Sequence, residues 1–413
     1  MKKILVIAAV MVFAVGTVYS QNLTLSGYFN TGLGVVVSDQ ANTDPYLKAF
    51  GVDSEQPGYR FRLNGAYNNE ERTAGVRFRL QSQGNLTLNS GSTEVSSEAH
   101  HHTTSSGYLS LPYVYGFVNF FENKLSLTGG IVDDSTFTTA DWWINDDVGE
   151  GLGLLIKATP IEGLNLGFGA YLISQQSGGS NNILTVGNGA TLPNFGNIHL
   201  KLEDAKYVIG ASYTMKDVFY LGGSFRLENK AGWGSSRQQS SQLMGDIRYL
   251  GMKDLTAIVA ADVNNLQDFA NNGTMFFSET FAYKINEEIN VGLNAVQFLS
   301  QAAGTDPAFL FNVWGSYAIG DIIPRVDAVY FMGGNTSGMS AASNDNAAWH
   351  RKGFSATSGA ARSNSSVISV RPSVRINVDS RTFLEIGNMF NFDTKPGSSV
   401  MSNAFYLDFR WNF

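Results

Sequence analysis

The sequence predicts an all-β fold: a transmembrane, up-and-down antiparallel β-barrel with short periplasmic turns and long outside loops. Three observations carry this. Segments in which every second residue is apolar recur from Gln21 to the end, their connections alternate between short and long, and no apolar run after residue 20 is long enough for a spanning helix. A period of two sends successive side chains to opposite faces of a strand. In a closed barrel the apolar set then meets lipid and the polar set a wet interior. This explains how 43% hydrophobic residues and a mean hydropathy of -0.07 accompany a membrane fold, because each strand is apolar on one side only. The 44 Gly, 28 Phe and 17 Tyr against 9 Pro suit strands joined by turns, with aromatic girdles at the membrane interfaces.

The elements follow in order. Met1-Lys2-Lys3, the uncharged run Ile4 to Val15 and the small residues of Val18-Tyr19-Ser20 predict a signal peptide over residues 1–20, cleaved before Gln21. A single barrel domain over residues 21–413 is expected. No cysteine follows the apolar run, or occurs anywhere, so neither a lipid anchor nor disulfides are read. Leu23, Leu25, Phe29, Leu33, Val35 and Val37 form one face of the first strand. The clearest hairpin pairs Tyr59, Phe61, Leu63 and Tyr67 with Ala74, Val76, Phe78 and Leu80 across Asn68-Asn69-Glu70-Glu71. Strands follow at Leu109–Phe117, Leu125–Val132, Leu152–Thr159, Leu164–Leu172, Lys206–Met215, Val218–Leu227, Gln242–Leu250 and Leu255–Val263. The remainder are Phe276–Ile285, Ile289–Leu299, Phe309–Ala318, Pro324–Met332, Val367–Asn377, Thr382–Phe392 and Ala404–Phe413. The tally is about 18 strands, with about 16 as the alternative count. Asn197–Asp204 reads as either a loop hairpin or a strand, and Glu279 falls on the apolar face of its strand.

The last stretch alternates most strictly: Phe405, Leu407, Phe409, Trp411 and Phe413 share one face, and Tyr406, Asp408, Arg410 and Asn412 the other. This ending resembles the C-terminal signal of bacterial outer-membrane barrels. The resemblance implies that Phe409, Trp411 and Phe413 are read by the barrel assembly machinery.

Function should then lie on the polar face. It carries Arg60, Arg62, Arg77 and Arg79 on the second and third strands, and Arg371, Arg375 and Arg410 on late ones. Closure makes the last strand the neighbour of the first, so these arginines share one sector of wall. A guanidinium stays charged when partly desolvated and pairs with carboxylates and phosphates. The third outside connection, residues 133–150, holds Asp133, Asp134, Asp141, Asp146, Asp147 and Glu150 with no Lys or Arg, and also Trp142 and Trp143. Topology, loop position and charge arrangement together resemble the general diffusion porins of the outer membrane. The resemblance implies a third loop folded into the barrel, its acids facing an arginine ladder across a constriction. It also implies outer-membrane lipid around the barrel, small hydrophilic solutes within it, and assembly as a homotrimer. No linear family signature accompanies these features.

Other chemistry is poorly represented. His100-His101-His102 lie in a Ser/Thr-rich connection with no Cys or carboxylate pair at ligand spacing, so no metal is read, nor any other cofactor. No phosphate loop, nucleophile elbow or His-Glu-x-x-His pattern occurs, and no enzyme is expected. A net charge of -7 argues against nucleic acid. The reading is a passive porin. Its alternatives are a barrel-anchored surface protein binding through its outside loops, an adhesin or receptor, and a solute-specific uptake channel.

Overall fold

The computed structural model describes residues 22–38, 46–50, 59–84, 86–88, 108–134, 136–137, 151–172, 185–186, 205–228, 240–301, 307–332, 366–393 and 401–413. In chain order the strands are β1 (Leu23–Ser38), β2 (Tyr46–Phe50), β3 (Tyr59–Asn68), β4 (Ala74–Gly84), β5 (Leu86–Leu88), β6 (Tyr108–Phe120) and β7 (Leu125–Val132). Next come β8 (Gly151–Ile161), β9 (Leu164–Leu172), β10 (Thr185–Val186), β11 (Ala205–Met215), β12 (Phe219–Glu228), β13 (Ser240–Tyr249) and β14 (Leu255–Asn264). The last are β15 (Thr274–Lys284), β16 (Ile289–Ser300), β17 (Ala308–Tyr317), β18 (Ile322–Met332), β19 (Ser366–Asn377), β20 (Thr382–Asp393) and β21 (Met401–Asn412). Eighteen strands form a closed antiparallel wall, so the alternative count of 16 falls away. The seam joins β21 to β1 in continuous register from Tyr28–Asn412 to Ser38–Ser402. The other three strands are short. β2 pairs with one half of β1 and with β5, and β10 pairs with β6. All three fall in stretches that the sequence reads as long connections.

The turns at one end owe their tightness to side chains that replace backbone partners. Asn69 Oδ1 accepts the Ala74 N–H at 3.0 Å, and Asn286 Oδ1 accepts those of Glu288 and Ile289 at 2.9 and 2.8 Å. Asp379 Oδ1 accepts the N–H groups of Arg381 and Thr382 at 2.6 and 2.8 Å. Those bonds, Arg381's foremost, hold the exposed Asp379 carboxyl below its usual range. The opposite end carries the long connections. Residues 1–20, Asn197–Asp204 and His100–His102 lie outside the described residues.

The outward face is apolar, as alternation requires. Leu154 and Ile156 are 56% and 44% exposed, and Leu243 and Ile247 50% and 55%. Glu279 sits on this face too, opposite Val259 on β14 and Ala295 on β16, with exposed Phe281 and Tyr283 two and four residues further along its strand. At the seam, Phe413 exchanges backbone hydrogen bonds with Gly27 (2.9 and 3.0 Å), and its ring lies 6.0 Å from Phe61 and 5.1 Å from Trp411. Any Cβ at Gly27 would strike that ring, at 2.7 Å, as well as the Arg62 carbonyl. Glycine lets the chain end lie flat across β1.

The buried apolar side chains lie inside the barrel. Leu155, between exposed Leu154 and Ile156, is only 2% exposed, and Val208, Met244, Leu310, Val329 and Met389 are similarly buried on inward positions. The expectation of a uniformly polar interior is therefore revised. Where apolar residues run consecutively, as in Leu154-Leu155-Ile156, one faces inward, and it withdraws from water against other inward side chains. Polar inward positions continue around the same wall: Thr128, Ser212, Asp246, Asn312 and Asp327 are all buried.

Candidate functional site

Cross-strand register brings the predicted arginines together. Arg62 lies opposite Tyr28 on β1 and Gln81 on β4, while Arg77 and Arg79 on β4 lie opposite Ala66 and Asn64. Arg410 on β21 lies opposite Asn30. Arg60 occupies the β3 position opposite Asn30 and Gln83; its side chain lies outside the described residues.

These guanidinium groups lie over aromatic rings of the wall. Arg62 and Arg410 flank the same ring, Tyr28, at 5.6 and 4.5 Å from its centroid. Arg77 lies 4.8 Å from Phe117, Arg79 4.7 Å from Tyr113, and Arg375 4.2 Å from Phe383. Hydrogen bonds fix their other edges: Arg62 Nε donates to Gln81 Oε1 at 2.5 Å, Arg79 Nε to Asn64 Oδ1 at 2.9 Å, and Arg77 to Asn68 Oδ1 and the Tyr67 carbonyl. Ring contact combined with donation from several edges of one planar group suits arginine better than lysine.

The late strands differ, because acids accompany the arginines. Asp327 on β18 is 1% exposed and receives Arg325 at 2.7 Å and Arg371 at 2.8 Å. Arg375 meets Glu385 at 3.2 Å, and Tyr406 donates to the other oxygen of that carboxylate at 3.0 Å. Arg371 and Arg375 are thus matched by wall acids. Among the described residues three further inward arginines were missed by the sequence reading: Arg226, opposite Val208 and Gln242, with Arg248 and Arg325. Arg248 stacks on Tyr220 at 4.0 Å and pairs with Asp246, and Arg325 stacks on Trp314 at 4.2 Å. Their signal was present: each stands two residues from an acid on the polar face of a strand.

The third outside connection leaves β7 at Val132, and its first residues turn into the barrel. Asp133 lies 3.6 Å from Arg79 on β4. Asp134 lies 2.6 Å from Lys157, which also donates to Thr136 Oγ1 at 3.0 Å. Val132 pairs with Gly151 at the start of β8, while Lys157 lies well along that strand towards its turn. Asp134 meets it because the chain doubles back along the inner wall. Asp134 Oδ1 also accepts the Thr136 N–H at 3.0 Å, which tightens the bend. Phe137 follows, 6% exposed, its ring over Gly167 on β9 and Gly210 on β11. Asp141, Asp146, Asp147 and Glu150 lie outside the described residues. Among the described residues no group of three or more His, Cys, Asp or Glu side chains could hold a metal ion.

No family model matches the chain, and no curated protein matches it in sequence. Solved structures do resemble it. Pseudomonas aeruginosa OccK7 (OpdD) aligns with a TM-score of 0.55 at 10% identity, over 95% of this chain and 99% of that one. Acinetobacter baumannii OccAB4 gives 0.53 at 10% identity, with the same coverage. Pseudomonas aeruginosa OpdK, in a crystal structure with vanillate, gives 0.52 at 12% identity, over 94% of this chain and 99% of that one. The fold is that of outer-membrane barrels. Identities this low carry the architecture and none of the side chains, so the chemistry of this wall has to come from its own residues.

Proposed function

We propose that the protein is an outer-membrane channel for small hydrophilic solutes and ions, in which an arginine-rich wall faces an acidic third connection. The observation that carries this reading is the pairing of two features. Arginines laid on aromatic rings run across β3, β4 and β21, and the first acid of the third connection, Asp133, lies 3.6 Å from Arg79. Fixed charges of opposite sign across a narrow gap set a transverse field, which favours hydrated, polar solutes over apolar ones. Salt screens such a field over about 8 Å at physiological strength, so the effect belongs to a constriction and not to a wide pore. In this reading Asp141, Asp146, Asp147 and Glu150 extend the acidic side, Phe409, Trp411 and Phe413 present the chain end to the assembly machinery, and three copies assemble in lipid.

Reversal potentials in planar bilayers under a salt gradient test it. Replacing Asp133, Asp141, Asp146, Asp147 and Glu150 by their amides is expected to shift selectivity towards anions. Replacing Arg62, Arg77, Arg79 and Arg410 by Gln is expected to shift it towards cations. If neither set moves the reversal potential, the proposed constriction is wrong.

A second reading has one observation in its favour. Vanillate, present in the OpdK structure, is a planar aromatic carboxylate. Arg62 and Arg410 on either side of Tyr28 offer both charge and a flat ring to such a solute. Under this reading the channel is selective, and vanillate blocks ion current in the wild type but not in the variant carrying Arg62→Gln and Arg410→Gln.

A further inference from the structure

We infer that Phe137 is the positioning residue that clips the third outside connection to the inner wall, and that Gly167 and Gly210 are the socket it needs. Gly167 and Gly210 are direct cross-strand partners, and Lys157 is the next residue in the same row. One row across β8, β9 and β11 therefore supplies an amine for Asp134 and Thr136, and then two positions without side chains. A Cβ at Gly167 would lie 2.1 Å from Cε2 of the Phe137 ring, and one at Gly210 2.2 Å from its Cγ. No L-residue other than glycine fits beneath the ring unless the ring moves. At 6% exposure the ring is withdrawn from water, in contrast to the outward rings of the same strands, such as Phe168 at 45%. Neither glycine has a positive φ, so backbone freedom is no reason for them. Close approach is.

The clip has an ionic half and an apolar half. Lys157 holds Asp134 and Thr136, but that ion pair is partly open to solvent and individually weak. Phe137 stabilises the clip more, because burying an aromatic ring is worth more than such a pair. The function of the clip rests on the channel reading above; the contact itself does not.

The chain has no cysteine, which makes a clean test available. Phe137→Cys combined with Gly210→Cys brings two thiols close together, because a Cβ at Gly210 would lie 2.2 Å from the Phe137 Cγ, and a disulfide spans a Cβ separation of about 3.8 Å. The cross-link is expected to form in the folded barrel and to be found by mass spectrometry of its peptides. The cross-linked channel is expected to keep wild-type conductance and noise. Adding reductant in the bilayer chamber should change the conductance and raise the open-channel noise, reversibly. Phe137→Ala alone should reproduce the reduced behaviour, and Phe137→Leu should restore most of the wild-type trace. Failure of the disulfide to form in folded protein overturns the clip, as does identical conductance before and after reduction. If the wild type itself passes no current, the channel reading fails, and cross-link formation alone still decides whether the clip exists.

Discussion

Two sectors of one inner wall solve opposite problems. Around β3, β4 and β21 the wall carries long cationic side chains lying over Tyr28, Tyr113 and Phe117. Around β9 and β11 it carries glycine at Gly167 and Gly210, so that another piece of chain can lie against it. Both sectors are antiparallel, though β4 shifts register between Arg79 and Gln81 where it meets β6. What differs is how far the side chains project: a stacked guanidinium keeps charge near the lumen without filling it, and a glycine pair removes the wall surface altogether. The base of the third connection touches both sectors, through Asp133 on one side and Phe137 on the other. Side-chain length thus shapes this interior as much as strand pairing does, and polar and apolar positions alternate only on average.

The largest effect is expected outside both sectors, on β19, at an arginine whose acid partner is buried. Arg371→Gln leaves Asp327, 1% exposed, with Arg325 as its charged partner. Losing one member of a buried charge cluster costs on the order of 3 kcal/mol. A lower denaturant midpoint, read from the loss of the heat-modifiable band on a gel, is the expected result; an unchanged midpoint would mean that Arg325 alone suffices. A smaller effect is expected in the glycine sector. Gly167→Val should cost about 1–3 kcal/mol through overpacking against Phe137. Combining it with Phe137→Ala should recover most of that loss, since the ring that clashes is gone. Independent, additive costs in the double variant would disconnect the glycine from the ring.

The smallest effect is predicted where the sectors differ most in appearance. Arg77 is held by Asn68, two carbonyls and the face of Phe117, with no acid among these partners. Arg77→Gln should change stability by less than about 1 kcal/mol, as expected for a charge bordering water. A loss comparable to that of Arg371→Gln would place Arg77 in a dry, structural part of the wall.

Much of this was legible in the chain because a two-residue period is a local property. The closing strand, Leu164–Leu172 and the hairpin across Asn69 all follow from alternation and turn chemistry, and the rhythm of short and long connections gave a strand number that the closed wall bears out. Closure was legible too: β21 is the neighbour of β1, with Arg410 opposite Asn30. Glu279 also kept the outward position that its sequence pattern assigns.

Periodicity could not say which inward residue meets which. Whether Arg371 is matched by Asp327, or Arg375 by Glu385, depends on register between strands, and register is fixed by pairing across the whole sheet. The inward position of Leu155 was hidden because three apolar residues in a row fit either phase. Phe137 carried no signal of its own, since a phenylalanine after a strand says nothing about where its ring goes. Its partners Gly167 and Gly210 are distant in the chain and become adjacent only when β9 and β11 pair. The sequence by itself determined the class of fold and the inward or outward phase of its most strictly alternating strands. The tertiary structure decided the contacts inside the barrel, because they join residues that only closure of the sheet brings together.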